Sequence, residues 1–293
     1  MPDPFDLGDA HAYGQWREAK LSDYPTDIND LVVTVRNPYA LTEDERFALL
    51  GSCAKTNLAI YKTDRGEDPD KTIPQAIAKQ LGLNRLDHNL LADEDGLTTL
   101  SVANSGMRRD YIPYTNRALK WHTDGYYNQP SERILAFQLH CVRPAERGGE
   151  NALLDHEIAY IRLRDENPAY IAALMEDDAM TIPPREDDNG VARAAQSGPV
   201  FSKNPDGSLH MRYTARKRSI EWKNVPTTLA AVKFLEDLLA APSPYIFRGG
   251  LAAGMGLVCN NVLHDRTAFE DSAENSRLIY RARFYDRIHR AHI

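Results

Sequence analysis

His122 and Asp124 limit the choice of fold more than any other feature of this chain. They lie in the run Leu119-Lys120-Trp121-His122-Thr123-Asp124-Gly125-Tyr126. Residues two apart share one face of a strand, so both side chains can reach one point; on a helix the same spacing turns them apart. Gly125 marks a turn where that strand ends. A third donor, His264, comes 140 residues after Asp124, and Arg277 follows 13 residues after His264. Two imidazoles and one carboxylate form the facial triad that holds ferrous iron and leaves coordination positions open. For the three to meet, His264 must come from another strand passing nearby.

Composition narrows the class. The chain has 293 residues, 42% hydrophobic and 26% charged, as expected of a soluble globular protein. Its net charge of −7 argues against a protein that neutralises many phosphates, so nucleic acid is not an expected partner. Cys53, Cys141 and Cys259 are odd in number and widely spaced, with no CxxC pair. They read as small buried side chains in a reducing compartment rather than as a disulfide framework or a thiolate zinc site. The acidic N-terminus lacks the apolar core of a signal peptide. No apolar run approaches the length of a membrane span. The expected location is the cytoplasm, away from membranes.

Local patterns place the elements. Residues 1–30 are polar, rich in Asp and Pro, and without periodicity; they are expected to wrap the surface. Leu31 to Val35 reads as a strand. A capping box, Thr42-Glu43-Asp44-Glu45, opens a helix to about Thr56. Leu58 to Tyr61 and Leu97 to Val102 read as strands. Thr72 to Gln75 repeats the capping pattern, with Gly82 as the stop. Between Ile134 and Cys141 both alternating sets are mostly apolar, which predicts a strand buried on both faces. Residues 155–176 look helical, with Asp155 as N-cap and Pro168 starting a second helix. Residues 177–199 are acidic and lack periodicity, so they read as a long loop able to serve as a lid. Val200 to Ser202 and Leu209 to Tyr213 form a hairpin, Pro226 to Ala240 a helix, and Arg277 to Tyr285 the last strand.

Four segments carry a resemblance. Trp121-His122-Thr123-Asp124-Gly125-Tyr126, Leu139-His140-Cys141-Val142-Arg143-Pro144, Arg147-Gly148-Gly149-Glu150-Asn151 and Asn261-Val262-Leu263-His264-Asp265-Arg266-Thr267-Ala268-Phe269 resemble the TauD/TfdA family of Fe(II)- and 2-oxoglutarate-dependent dioxygenases. The resemblance runs from about Leu119 to Leu153 and from Gly249 to Tyr285. It implies a mainly β protein with flanking helices, a double-stranded β-helix or jelly roll. The domain reading is one oxygenase domain over 1–293, with an N-terminal part to about 118 and an insertion over about 155–245 that carries the lid.

The resemblance also implies roles. His122, Asp124 and His264 would hold iron. Arg277 would grip the far carboxylate of 2-oxoglutarate, since a guanidinium offers two parallel hydrogen bonds. Asn151 stands where the family commonly has Thr near that co-substrate; its amide can still donate. Arg281 shares a face with Arg277 but lies roughly 13 Å along the strand. It is open to two uses: an anionic group of the primary substrate, or support of the co-substrate's other carboxylate. Arg283 is expected to face out. Tyr126, Tyr127, Asn128 and Asn104 are candidate substrate contacts, and Arg212, Arg216, Lys217 and Arg218 read as a solvated strand edge.

The implied reaction is oxidation of an unactivated C–H bond of a small, anionic molecule, with O2 consumed and succinate and CO2 released. Hydroxylation, desaturation and cleavage stay open, and so does a homo-oligomer. One rival is a jelly-roll metalloenzyme working as a hydrolase or isomerase, which would not need Arg277. Another is an inactive small-molecule-binding protein of the same fold, which would tolerate loss of a metal ligand.

Overall fold

The computed structural model describes residues 3–88, 92–187, 190–216 and 220–289. Lys217 and Arg218 fall outside them. A six-stranded sheet runs in the order Val32–Thr34, Leu58–Lys62, Met255–Cys259, Ala136–Arg143, Leu278–Phe284, Thr98–Leu100. Its first pair is parallel and the other pairs are antiparallel. A four-stranded sheet runs Ile246–Gly249, Asn151–Leu154, Leu263–Arg266, Leu119–His122. The expectation of sheets flanked by helices holds.

Contacts divide the chain into two units. The larger comprises Pro25–Lys120, Ile134–Leu153 and Phe247–Ile293. Its central strand Ala136–Arg143 is buried on both faces, as its two apolar sets require. One face, with Ala136 and Val142, joins Tyr280, Ala282 and Phe284 in a core closed by Leu49, Leu50 and Ile77 of two helices. The first of these helices, Glu43–Thr56, starts with the expected capping box: Thr42 accepts from the Glu45 amide and Glu45 from the Thr42 amide. The second, Thr72–Gln80, has no such cap; Asp70 instead accepts from the Thr72 amide.

The opposite face of the central strand carries Phe137, Leu139 and Cys141. The register sets them across from Arg283, Arg281 and Ile279. That face bears Arg281, one of the expected site residues. Arg283, expected to point outward, is buried and ion-paired with Asp87, which also accepts from the Tyr285 hydroxyl.

The other unit comprises Met1–Tyr24, Trp121–Arg133 and Leu154–Ile246. Helices His156–Glu166, Pro168–Leu174 and Pro226–Ala240 build it, with Asp155 and Asn167 as the N-caps of the first two. The N-terminal segment does not merely wrap the surface. Ala10–Leu21 is a helix capped by Asp9, anchored by Trp16 against Phe5 and Tyr160. Its Lys20 is buried between Asp155 and Glu157. Residues 177–199 also differ from expectation. Strands Met180–Ile182 and Gln196–Gly198 pair, and Arg185–Asp187 pairs with Gly190–Arg193. Backbone pairing holds this segment where apolar periodicity gave no sign of strands.

Candidate active site

His122 ends the strand Leu119–His122, and Asp124 sits in the turn that follows, where Gly125 has φ +67°. The turn is backed by residues 213–215. The Thr123 amide donates to the Tyr213 carbonyl at 3.0 Å, and the Thr123 hydroxyl oxygen accepts from the Tyr213 amide at 3.1 Å. His264 lies in Leu263–Arg266. One donor atom from each of His122, Asp124 and His264 lies within 4.8 Å of the others. His122 Nε2 and Asp124 Oδ1 are 3.9 Å apart.

That spacing fits one ion. Metal–ligand bonds of about 2.1 Å at right angles set donors roughly 3 Å apart, within small side-chain adjustments of what is seen. The His264 ring is already oriented. Its Nδ1 lies 3.0 Å from the Val262 carbonyl, so Nδ1 carries the proton and Nε2 presents its lone pair. The Phe137 ring packs 4.5 Å from it, centre to centre.

Arg277, Leu139, Ile279, Gly149, Asn151 and Leu251 line one cavity. Arg277 is 6% exposed, and burial pushes its pKa down to about 10. Its backbone amide donates to Asp271, but no carboxylate ion-pairs with its guanidinium among the described residues. A buried cation without a counterion is costly, so the cavity calls for an anion. Two glycines of left-handed backbone border it. At Gly148 (φ +74°) a Cβ would lie 2.3 Å from the Ala268 carbonyl oxygen. At Gly149 (φ +77°) it would lie 3.6 Å from Arg277 Nε. Asn151 donates its amide to the Asp265 carbonyl at 2.7 Å, tying its strand to the one that bears His264.

Arg266 has a role that its sequence position alone did not disclose. It is 3% exposed and donates to the carbonyls of Thr115 at 2.8 Å and Arg117 at 2.6 Å. It therefore clasps the segment that leads into Leu119–His122. Burial and Arg277 lower its pKa to about 9. The Phe269 ring stands between these two cations, 4.9 Å from Arg266 and 5.1 Å from Arg277. The available signal was spacing: two residues beyond His264 on a strand, Arg266 shares its face.

The remaining expected contacts are placed as follows. Tyr126 packs edge-on to His122 at 6.5 Å and to Tyr127 at 5.2 Å. Asn128 closes the turn, its side chain donating to the Glu132 carbonyl. Arg281 lies on the inner face opposite Leu139 and Thr98. Asn104 is exposed in a bend. Arg212 is no solvated edge: its guanidinium donates to the carbonyls of Tyr126, Met180, Gln196 and Gly198. His140, His156 and His210 are buried, as structural residues should be.

A family model described as taurine catabolism dioxygenase TauD, TfdA family matches residues 65–283. A uridine-5'-phosphate dioxygenase from a Streptomyces species is 32% identical over 206 residues, 66% of this chain and 71% of that protein. A protein of the same name from an Amycolatopsis species is 32% identical over 171 residues, 55% of this chain but only 59% of that protein. Among solved structures, the iron oxygenase OrfP with Fe and alpha-ketoglutaric acid superposes with a TM-score of 0.62 at 15% identity, over 83% of this chain and 80% of that one. An asparagine oxygenase with Fe(II), 3-hydroxyasparagine and succinate gives 0.56 at 11% identity, over 87% and 93%. At these identities the likeness speaks for the fold, a double-stranded β-helix.

Proposed function

The chain belongs to the taurine catabolism dioxygenase TauD, TfdA family and is an Fe(II)- and 2-oxoglutarate-dependent dioxygenase, and from that premise we propose that His122, Asp124 and His264 hold its iron. The observation that carries this assignment is the convergence of their donor atoms within 4.8 Å. Iron with 2-oxoglutarate and O2 supplies the oxidising power for hydroxylation, and the keto acid leaves as succinate and CO2.

The chain's residues prepare that chemistry. The Val262 carbonyl fixes the His264 ring so that Nε2 faces the metal position. Arg277 receives the far carboxylate of 2-oxoglutarate, which supplies the anion its buried guanidinium lacks. Asn151 offers its second amide hydrogen to the co-substrate while the first holds the Asp265 carbonyl. Leu139, Ile279 and Leu251 keep water from that cavity.

The primary substrate is a small anionic molecule, with a nucleoside 5'-phosphate as the leading class. Support comes from the name carried by both curated relatives. Arg281, on the inner face of the last strand, serves the substrate or the C1 carboxylate of 2-oxoglutarate, and Tyr126, Tyr127, Asn128 and Asn104 contact the substrate. The enzyme is read as cytoplasmic, acting on small molecules rather than nucleic acid, given its charge of −7. Among the described residues no helix is long and apolar enough to cross a membrane.

The test is succinate formation with Fe(II), 2-oxoglutarate and a panel of uridine 5'-phosphate, uridine, taurine, asparagine and arginine. Uridine 5'-phosphate should stimulate turnover most, and His264→Ala should abolish both turnover and Fe(II) binding. A panel result in which the nucleotide does no better than buffer rejects the substrate class. Retention of Fe(II) by His264→Ala rejects the ligand set.

A further inference from the structure

Arg212 is held at the turn that follows Asp124. It donates to the Tyr126 carbonyl at 2.7 Å, Met180 at 3.0 Å, Gln196 at 2.7 Å and Gly198 at 3.3 Å. Every acceptor is a neutral backbone oxygen, so its positive charge stays uncompensated. Burial, together with the nearby charges of Arg133 and Arg193, depresses its pKa to about 10. Arg193, at the end of the strand Gly190–Arg193, lies over the Tyr127 ring at 5.6 Å. One of its terminal nitrogens donates to the Pro183 carbonyl at 2.8 Å. Its Nε is buried and has no hydrogen-bond partner. Tyr127 touches Tyr126, and Tyr126 touches His122.

Arg193 and Arg212 thus stand at the two tyrosines beyond the metal-binding turn with Arg133 close enough to add its charge, and among the described residues no ion pair involves any of the three. Several other buried or half-buried cations are neutralised: Arg108 and Lys71 by Asp93, Arg283 by Asp87, Lys20 by Asp155 and Glu157. Like charges brought together out of water repel unless an anion joins them. Arg212 commits four of its five N–H donors to carbonyls, whereas Arg193 keeps its Nε–H unused. A planar fork with a free Nε, set on an aromatic floor and in a doubly positive field, suits a tetrahedral dianion.

We propose that Arg193, seated on Tyr127 with Arg133 and Arg212 nearby, is an oxyanion subsite that takes a phosphate-type dianion of the primary substrate. This rests on the reading of a small anionic substrate given above. It makes the 180–198 segment a determinant of specificity, with Arg193 its reading head.

The test uses the full chain loaded with metal and 2-oxoglutarate under anaerobic conditions, titrated with inorganic phosphate, uridine 5'-phosphate and uridine. Both phosphates should bind, and uridine more weakly. Arg193→Ala should weaken both phosphates by about tenfold or more, the loss of one charged hydrogen bond, while its affinity for 2-oxoglutarate holds. Arg193→Lys should fall between, and Lys233→Ala, on the exposed face of Pro226–Ala240, should match the wild type. Wild-type phosphate affinity in Arg193→Ala overturns the subsite, as does phosphate binding lost in Arg281→Ala but kept in Arg193→Ala. If uridine 5'-phosphate is not turned over yet phosphate binding depends on Arg193, the substrate class fails and the subsite stands. If it is turned over with unchanged KM in Arg193→Ala, the subsite fails and the substrate class stands.

Discussion

Arg277 and Arg283 stand near opposite ends of the last strand, both turned to its inner face, roughly 20 Å apart by strand geometry. Both are buried, at 6% and 3% exposure. Asp87 neutralises Arg283, and among the described residues nothing ion-pairs with the guanidinium of Arg277. A buried cation that brings its own anion is part of the scaffold. One that does not is poised for an anion from solution, and its desolvation is a standing cost until that anion arrives. Arg281, between them, lies on the same face.

The sharpest way to break this contrast is to remove each charge in turn. Arg283→Met leaves Asp87 buried without its cation and should cost about 3–5 kcal/mol of stability, read as a lowered denaturation midpoint. Arg277→Met should leave the apoprotein as stable as before or more so, since it deletes an uncompensated charge. Its loss appears instead in the KM for 2-oxoglutarate, about 2–5 kcal/mol of binding, or thirtyfold and more. Equal destabilisation of the two apoproteins would erase the distinction between them.

His140 is a third solution to burial. It is 0% exposed, its Nδ1 is hydrogen-bonded with the Tyr61 hydroxyl at 3.1 Å, and burial lowers its pKa to about 4. The unfolded chain takes up a proton near pH 6.5 and the folded chain does not. Stability therefore falls as pH drops from about 6.5 to about 4, by roughly 3 kcal/mol for this group. Replacing it with Phe should flatten that stretch of the stability–pH curve; an unchanged slope would assign the loss to other groups. The smallest effect is expected at Asp271, which accepts from the Arg277 backbone amide and acts on its side chain only through its field. Asp271→Asn should shift the KM for 2-oxoglutarate by about fivefold or less, the scale of one partly screened charge.

The grouping of His122, Asp124 and His264 and the cavity position of Arg277 were foreshadowed in the chain because they depend on residue type at short spacing along strands. Pattern also reached the central strand Ala136–Arg143 and the capping box at Thr42. Other features escaped for physical reasons. The helix Ala10–Leu21 is held by a few aromatic contacts and one buried lysine, so it shows little apolar periodicity. Met180–Ile182, Arg185–Asp187, Gly190–Arg193 and Gln196–Gly198 are strands because their backbones pair, in a stretch of sequence without apolar periodicity to advertise it. Arg212 and Arg266 bind main-chain oxygens, which carry no mark in a sequence. The Arg283–Asp87 pair joins residues 196 apart, beyond the reach of any local pattern.

The Phe269 ring, held between Arg266 and Arg277, acts as an electrical spacer. Each guanidinium lies over the electron-rich ring, which offsets part of the repulsion that Arg277 exerts on Arg266. A leucine there would fill comparable volume and leave the two cations looking at each other across hydrocarbon. The clasp of Arg266 on the carbonyls of residues 115 and 117 would then stand against a less screened Arg277, so one aromatic side chain lets two buried cations share a small volume.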